Sequence, residues 1–470
     1  MEMRAVPNVD PPLRWAFFSY AYNLGDSSRA IEVAKAMRAA GHTVAFFHRG
    51  GSFAETIADA GLQPVGLQPR ITLEQHQALM AIDQHRAALG TPLPFSEAEL
   101  IAMVETELEA FSDFQPDGVY CGLNLSCMIS VPAARLPMVT LVPTALCPAF
   151  FQQGMASFPD AMDRNPLLRR FVPQSIKDSL INRIMLGKSA RKSAEVFNRV
   201  RARYGLGPIF NYTSLVRGDL TLLPDLPTLS GLPEAALPQG YSYCGPIFAR
   251  LDLPVPNQVT QVFQQPGLNV FCAMGSSGPA DLFKSTVAAL REAPDYNIVC
   301  ATTSIVHPAE LGPASDRFFA TSFLPAHVIS EMADVVVSHG GQGTLQAAIA
   351  AGTPVVGVGL QWEQQANLEA LANAGAGVRI PIYAVTAPRI RAAVETVRSE
   401  SYAVQARKLQ ALLSGGPAEA VKQMNAFVRQ RAMQATNPGT SRSGLADRRA
   451  GGSFTLRSAL PRSRRVRSRS

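Results

Sequence analysis

The amino-acid sequence predicts an α/β protein made of two Rossmann-like domains, each a doubly wound parallel sheet, that face each other across a cleft. Short apolar runs of strand length alternate with helical patterns in the first half of the chain, and the alternation starts again in the second half. With 470 residues, 47% of them apolar and 17% charged, the chain has the length and composition of two ordinary globular domains.

The first half opens with a predicted strand at residues 15–20, followed by a loop that holds Gly25 and Asp26. A helix is predicted at residues 28–40, where Gly41 ends it, and further strands at 42–48, 62–67, 119–121 and 138–142. A long helical stretch at 73–111 and a loop at 143–163 interrupt this alternation. We expect these two insertions to line a binding cleft.

The second half begins after a proline-rich, polar segment at residues 246–265. A buried strand at 268–274 leads directly into the loop Gly275-Ser276-Ser277-Gly278. A helix containing Leu282, Val287 and Leu290 follows.

A glycine-rich loop at residues 338–344, SHGGQGT, lies between an apolar strand and a helical pattern. Such a loop directs the first backbone N–H groups of the helix, and the positive end of its dipole, at an anion. A diphosphate is the expected guest. Its predicted ligands are the histidine, the glycine backbone and the hydroxyl of this loop: His339, Gly340, Gly341, Gly343 and Thr344. Tight packing of a strand against a helix is the alternative explanation for the glycines.

Polar side chains follow the next predicted strand at residues 355–358. They are Glu363, Gln364 and Asn367, and they belong to the carboxyl edge of the sheet, where parallel folds bind ligands. A carboxylate beside carboxamides is suited to binding hydroxyl groups.

The order HGGxGT, Gly-Thr-Pro and EQxxN resembles the donor-sugar signature of family 1 glycosyltransferases, inverting enzymes with a two-domain B-type fold. The resemblance implies that His339 and the loop backbone hold a diphosphate and that Glu363 and Gln364 hold sugar hydroxyls. Gly275, Ser276 and Ser277 resemble the loop over the donor phosphates, and Leu324 with Pro325 resembles the edge that reads the nucleobase.

With this resemblance, the sequence divides into six parts. They are a flexible leader (1–13), an N-terminal acceptor-binding domain (14–245), a linker (246–266), a C-terminal nucleotide-sugar-binding domain (267–415), a crossing helix (416–436) and a disordered basic tail (437–470).

Asp26 occupies the position at which family members carry the catalytic base, so the resemblance makes it the expected base. The alternative is that Asp26 caps the helix beginning at residue 27 or 28. The acceptor is expected between Asp26 and an apolar cluster, which could equally be ordinary core: Phe150, Phe151, Met155 and Phe158.

No Asp-x-Asp pair is found in the sequence, and the six cysteines are scattered without a CxxC pair. These observations favour a reaction without a metal or cofactor, in which the nucleotide diphosphate sugar is a co-substrate, and reduced core cysteines. The first loop lacks GxGxxG, which argues against a nicotinamide site.

Charge is concentrated in two segments. Residues 437–470 carry nine arginines and one aspartate, a local charge of +8, so the remainder carries −1 of the net +7. Residues 164–204 carry eleven basic and two acidic residues on a helical pattern, predicted to be an amphipathic basic helix pair. This pair could contact a membrane surface; a solvated helix face is the alternative. No nucleic acid partner is expected.

The sequence therefore predicts a transferase moving a hexose from a nucleotide sugar, with UDP the expected carrier and thymidine left open, to a hydroxyl of an apolar small molecule or lipid. Two alternatives remain: a sugar-nucleotide epimerase, and a catalytically silent relative that binds nucleotide sugar as a partner protein. The N-terminus lacks an apolar signal region, so we expect a cytoplasmic protein, peripheral at the inner membrane face if the basic helices bind lipid.

Overall fold

The computed structural model describes residues 11–85, 92–163, 165–250, 253–275 and 278–436. One compact unit runs to Val428 and contains both sheets described below. Among the described helices, none combines the length and the apolar content needed to cross a bilayer.

The first sheet contains seven parallel strands in the order β3-β2-β1-β4-β5-β6-β7. The strands are β1 (Arg14–Phe18), β2 (Thr43–His48), β3 (Pro64–Gly66), β4 (Gly118–Cys121), β5 (Met138–Leu141), β6 (Leu220–Leu223) and β7 (Tyr241–Tyr243). Strands β1 to β5 follow apolar runs predicted from the sequence, whereas β6 and β7 were not predicted. Strands β4 and β5 are buried along their whole length, as expected for a strand covered on both faces.

The helices of the first domain cover both faces of this sheet. They are α1 (Leu24–Ala39), α2 (Glu55–Asp59), α3 (Leu73–His85), α4 (Glu97–Phe114), α5 (Cys127–Ala133), α6 (Pro148–Gln152), α7 (Pro166–Phe171), α8 (Gln174–Leu186), α9 (Glu195–Arg203) and α10 (Pro227–Ser230). The predicted helical stretch at 73–111 contains two helices, α3 and α4, because Ser96 begins α4 with a capping box. The predicted basic pair is three helices, because Pro173 and the turn after Gly187 separate them.

The second sheet contains six parallel strands in the order β10-β9-β8-β11-β12-β13. The strands are β8 (Leu268–Ala273), β9 (Tyr296–Ala301), β10 (Phe318–Thr321), β11 (Val335–Ser338), β12 (Val355–Gly357) and β13 (Gly377–Arg379). The fold is thus two parallel α/β domains, as the sequence predicts.

Helices again cover both faces of the second sheet. They are α11 (Asn257–Phe263), α12 (Ala280–Arg291), α13 (Ala326–Met332), α14 (Gln342–Ala351), α15 (Trp362–Asn373), α16 (Ala387–Val397), α17 (Glu400–Ala411) and α18 (Pro417–Thr436). The segment expected as a linker, 246–266, contains α11. Val259 and Val262 of that helix are buried in the core of the second domain, so the helix belongs to that domain.

Helix α18 brings the chain back to the first sheet. Val421, Met424 and Val428 pack in the same core cluster as Trp15, whose indole Nε1 donates a hydrogen bond to Asn425 Oδ1 at 3.0 Å. Helix α18 therefore begins after the second domain and contributes to the core of the first.

Both sheets reverse their strand order next to their first strand, at β1/β4 and at β8/β11. Ligands of open parallel sheets bind beyond the carboxyl ends of the strands at such a switch point. The loops after these four strands begin at residues 19, 122, 274 and 339.

Candidate active site

A cavity of about 330 Å³ is lined by the loops that follow the carboxyl ends of both sheets. Asn23, Gly25, Arg29 and Leu123 line it from the first domain. The second domain contributes most of the predicted donor site: Gly275, Leu324, His339, Gly341, Gly343, Thr344, Glu363 and Gln364. Ser276 and Ser277, also predicted there, lie outside the described residues.

Helix α14 begins at this cavity. Its N-cap residue is Gly341, and no side chain caps the helix start. Gly341, Gln342, Gly343 and Thr344 all line the cavity, so the first turn of a ten-residue helix borders the space where an anion would bind. The amides and the helix dipole make this a favourable position for a diphosphate.

Gly340, although predicted with this loop, is not part of the cavity wall. It has φ +85°, and a Cβ at this position would lie 2.6 Å from the carbonyl oxygen of Gln364. Gly340 therefore permits the loop to pack closely against α15. For this glycine, tight packing is the correct explanation and diphosphate binding is not.

The imidazole of His339 lies between two glycines of the cavity wall. A Cβ at Gly275 would lie 2.4 Å from ring atom Cε1, and a Cβ at Gly341 would lie 2.5 Å from Nε2. His339 is 5% exposed, and this burial lowers its pKa to about 4, against the smaller opposing effect of the Ala273 carbonyl. The ring is therefore neutral at neutral pH and can donate one N–H without carrying charge.

Arg29 was not identified from the sequence. It is the one cationic side chain among the cavity-lining residues in the described part of the chain. Its Nη1 donates to Gln342 Oε1 at 2.8 Å, and its Nε is buried without a hydrogen-bond partner. No local pattern marks it, because the contact that brings it to the cavity is with a residue 313 positions away.

The Arg29 contact belongs to a bridge between the domains. Gln342 donates from Nε2 to Asp225 Oδ1 at 2.6 Å, and Asp225 Oδ2 accepts from the backbone N–H of Thr144 at 2.7 Å. The start of α14 is thereby fixed against the first domain with a guanidinium beside it.

Glu363 and Gln364 begin α15 but have different surroundings. Glu363 Oε1 accepts from Asn367 Nδ2 at 2.6 Å, and this side chain lines the cavity. Gln364 is 2% exposed, and its Oε1 accepts from the backbone N–H groups of Leu360 at 3.0 Å and Gln361 at 3.1 Å. The carboxamide of Gln364 thus shapes the loop, whereas the Glu363 carboxylate faces the cavity.

Asp26, the expected base, lies directly behind the cavity wall. It is 2% exposed; Oδ2 accepts from the Tyr20 N–H at 2.8 Å, and Oδ1 accepts from the Leu123 N–H at 3.1 Å. Burial raises the pKa of this carboxyl, and the two backbone hydrogen bonds and Arg29 oppose that shift. Gly25 and Leu123, its neighbours on either side, line the cavity.

The capping alternative for Asp26 is wrong. Helix α1 begins earlier than predicted, at Leu24, and its N-cap is Asn23, whose Oδ1 accepts from the Asp26 N–H at 3.1 Å. The Asp26 side chain instead connects two loops, because it accepts hydrogen bonds from Tyr20 after β1 and from Leu123 after β4.

The part of the cavity where the acceptor is expected is apolar, but its lining differs from the prediction. Phe150, Phe151 and Phe158 are core residues, and Phe151 packs edge-to-face on Trp362 with ring centroids 4.8 Å apart. Met155 packs against the same cluster. The apolar wall is formed by other side chains of the same region: Leu141, Val142, Leu146, Met162, Ile181, Met185 and Tyr212.

Two facing parallel-sheet domains, with an uncapped helix start in the cavity between them, have the architecture of B-type glycosyltransferases. Comparison with a family model supports this class: residues 293–427 match the C-terminal domain of proteins similar to erythromycin biosynthesis protein CIII.

Relatives of known activity are similar over most of the chain. A PGL/p-HBAD biosynthesis rhamnosyltransferase of Mycobacterium bovis is 29% identical over 367 residues, covering 72% of this chain and 78% of the relative. A PGL/p-HBAD biosynthesis glycosyltransferase of Mycobacterium tuberculosis is 26% identical over 341 residues, covering 72% and 75%.

Solved structures share the fold. The kitacinnamycin glycosyltransferase has a TM-score of 0.64 at 19% identity and covers 89% of this chain and 100% of its own. The spinosyn rhamnosyltransferase complexed with thymidine diphosphate has a TM-score of 0.61 at 19% identity, covering 88% and 100%. The chain has the fold of B-type glycosyltransferases, and its sequence is similar to that of glycosyltransferases over most of its length.

Proposed function

We propose that this protein transfers a hexose from a nucleotide diphosphate sugar to a hydroxyl of an apolar small molecule or lipid, with inversion at the anomeric carbon. One observation carries the proposal. A single cavity has the start of α14 and Arg29 on one side and an apolar wall from the first domain on the other.

The leaving diphosphate binds at the start of α14. The backbone N–H groups of Gly343 and Thr344 donate hydrogen bonds to its oxygens, Arg29 supplies positive charge, and neutral His339 donates an N–H. Each well-placed donor of this kind lowers the barrier by about 3 kcal/mol. Because a fixed guanidinium takes the developing negative charge, the reaction proceeds without a metal or other cofactor.

The sugar lies against Glu363, whose carboxylate accepts hydrogen bonds from its hydroxyls. Support comes from the position of Glu363 on the cavity wall, one turn before Asn367, whose amide orients it. Gln364 does not contact the sugar in this proposal; it holds the backbone of Leu360 and Gln361 in place beside the cavity.

The nucleoside is proposed to be thymidine. Uridine is the sequence-based expectation, but two solved structures with the same fold are complexes with thymidine diphosphate, the spinosyn rhamnosyltransferase and the glycosyltransferase VinC. The related mycobacterial rhamnosyltransferase supports a deoxyhexose as the sugar.

Asp26 is proposed as the base. Its raised pKa makes the carboxylate a stronger proton acceptor. In the proposed reaction, Oδ1 exchanges its 3.1 Å hydrogen bond with the Leu123 N–H for one with the acceptor hydroxyl. A base on the first domain and a leaving group on the second lie on opposite sides of the anomeric carbon. This arrangement suits direct displacement, which inverts the anomeric configuration.

The test is incubation of the protein with thymidine and uridine diphosphate hexoses, with and without apolar alcohols. Release of nucleoside diphosphate together with a glycoside of inverted configuration supports the proposal. An isomerised donor without net consumption identifies the epimerase instead, and binding without turnover identifies the silent relative.

A further inference from the structure

We propose that the outer face of α7 and α8 docks on an anionic lipid bilayer. Five large apolar side chains on or beside these two helices are exposed to solvent. They are Leu167 (64% exposed), Phe171 (70%), Ile176 (58%), Leu180 (51%) and Leu186 (37%). Single exposed apolar residues are ordinary on a soluble protein, but a group on two consecutive helices marks an interaction surface. We call it the α7–α8 face.

Basic side chains surround the α7–α8 face. The exposed ones are Arg170, Arg183, Lys188, Arg191 and Lys192. Asp178 is the one acid in residues 165–192, and it is half-buried, accepting hydrogen bonds from the Phe158 N–H and from Gln174. Lys177 is buried and paired with Asp163, so it belongs to the interior. Apolar side chains within a basic border match the interface of a bilayer that contains anionic lipid.

Helix α8 has a second face that lines the active-site cavity. Ile181 and Met185 are buried and contribute to the apolar wall, whereas Ile176 and Leu180 point to solvent. One helix thus separates the proposed membrane surface from the proposed acceptor site. This link to acceptor delivery rests on the proposed function; the docking itself does not.

A second copy of the chain is a poorer occupant. In a two-fold contact the same surface meets itself, so Arg170, Arg183 and Lys188 of each copy would face like charges. The border therefore disfavours self-association and favours a negatively charged partner surface.

The experiment measures vesicle binding of the full-length chain without donor or acceptor, so that its outcome is independent of glycosyl transfer. Vesicles contain phosphatidylcholine alone or with phosphatidylglycerol. We expect binding to the anionic vesicles. Phe171→Ser/Leu180→Ser should lower the partition coefficient about tenfold, because two apolar side chains leave the interface. Arg183→Glu/Lys188→Glu should lower it about thirtyfold or more.

Matched controls carry the same types of substitution at exposed positions away from the α7–α8 face, on α3 and on the second domain. Leu73→Ser/Leu412→Ser replaces two exposed apolar side chains, and Arg389→Glu/Lys408→Glu replaces two exposed basic ones. Both controls should bind vesicles as the unmodified protein does. Thermal unfolding midpoints of all variants show that they are folded.

The basic segment at 437–470 could bind anionic vesicles by itself, so a local readout is needed. An environment-sensitive fluorophore attached to Leu180→Cys should shift to the blue on anionic vesicles, and one attached to Leu412→Cys should not. The six native cysteines are buried, which favours labelling at the new thiol. Vesicle binding without a shift at position 180, no vesicle binding, or concentration-dependent dimerisation abolished by Phe171→Ser/Leu180→Ser would each overturn the proposal.

Discussion

Substitution of Arg29 tests most directly how the leaving group is stabilised. Arg29→Met removes the guanidinium but keeps an unbranched side chain of similar length. Arg29 is 9% exposed, and the described cavity wall offers no second cation to replace it. Loss of one preorganised donor to a developing oxyanion lowers kcat by about 100-fold to 1000-fold. We therefore expect a decrease of that size.

The assay is steady-state release of nucleoside diphosphate, with donor and acceptor varied separately. Arg29→Met should also weaken the stabilisation by free thymidine diphosphate, which for a ligand at a hundred times its Kd amounts to about 2.7 kcal/mol. Arg38→Met is the matched control, because Arg38 is an exposed arginine on the same helix and bonds to the Gly61 carbonyl. Arg29→Lys, which keeps the charge without the planar fork, should recover part of the lost rate.

Arg29 also bonds to Gln342 between the domains, so a structural role must be separated from a catalytic one. A structural role predicts a lower unfolding temperature with kcat unchanged. If Arg29→Met keeps kcat within about threefold of the unmodified enzyme, the assignment to the leaving group is refuted.

Three further predictions concern the residues around the cavity. Gly275→Ala should raise the KM for donor about tenfold or more and destabilise the fold by about 1–3 kcal/mol, since φ is +67° and the new methyl would meet His339; unchanged KM and stability would show that the ring moves freely. The neutral His339 should make the free energy of unfolding fall by about 3 kcal/mol as pH drops from about 6.5 to about 4, because the unfolded chain binds this proton first. In urea unfolding, His339→Gln should show a smaller decrease of the free energy of unfolding over this pH range. An identical decrease would show that a group other than His339 causes it. Asp26→Asn should abolish turnover while thymidine diphosphate still binds; a variant that keeps turnover excludes Asp26 as the base.

Local patterns predicted strands β1 to β5, β8, β11 and β12 and the loop at α14, but not the other five described strands. Strands such as β1 and β11 are buried on both faces, so their apolar character is continuous and readable. Gly341 and Thr344 are adjacent in sequence to the helix that they begin, and their position on the cavity wall follows from that local geometry.

Features that depend on distant contacts were missed. Arg29 donates a hydrogen bond to Gln342, which is 313 residues away in the sequence. Asp26 accepts one from the N–H of Leu123, which is 97 residues away. Phe151 and Ile181 are both apolar, so the sequence does not distinguish them. Packing in the folded protein places Phe151 in the core and Ile181 on the cavity wall. Periodicity carries no information about which apolar residues face an opening.

The central claim is that the start of α14 and Arg29 together bind a diphosphate. Calorimetric titration of the protein with thymidine and with thymidine diphosphate tests it most directly. Charge-assisted hydrogen bonds to the diphosphate predict that it binds about a hundredfold more tightly than the nucleoside, and that Arg29→Met removes most of this difference. Equal affinity for the two ligands would contradict the account.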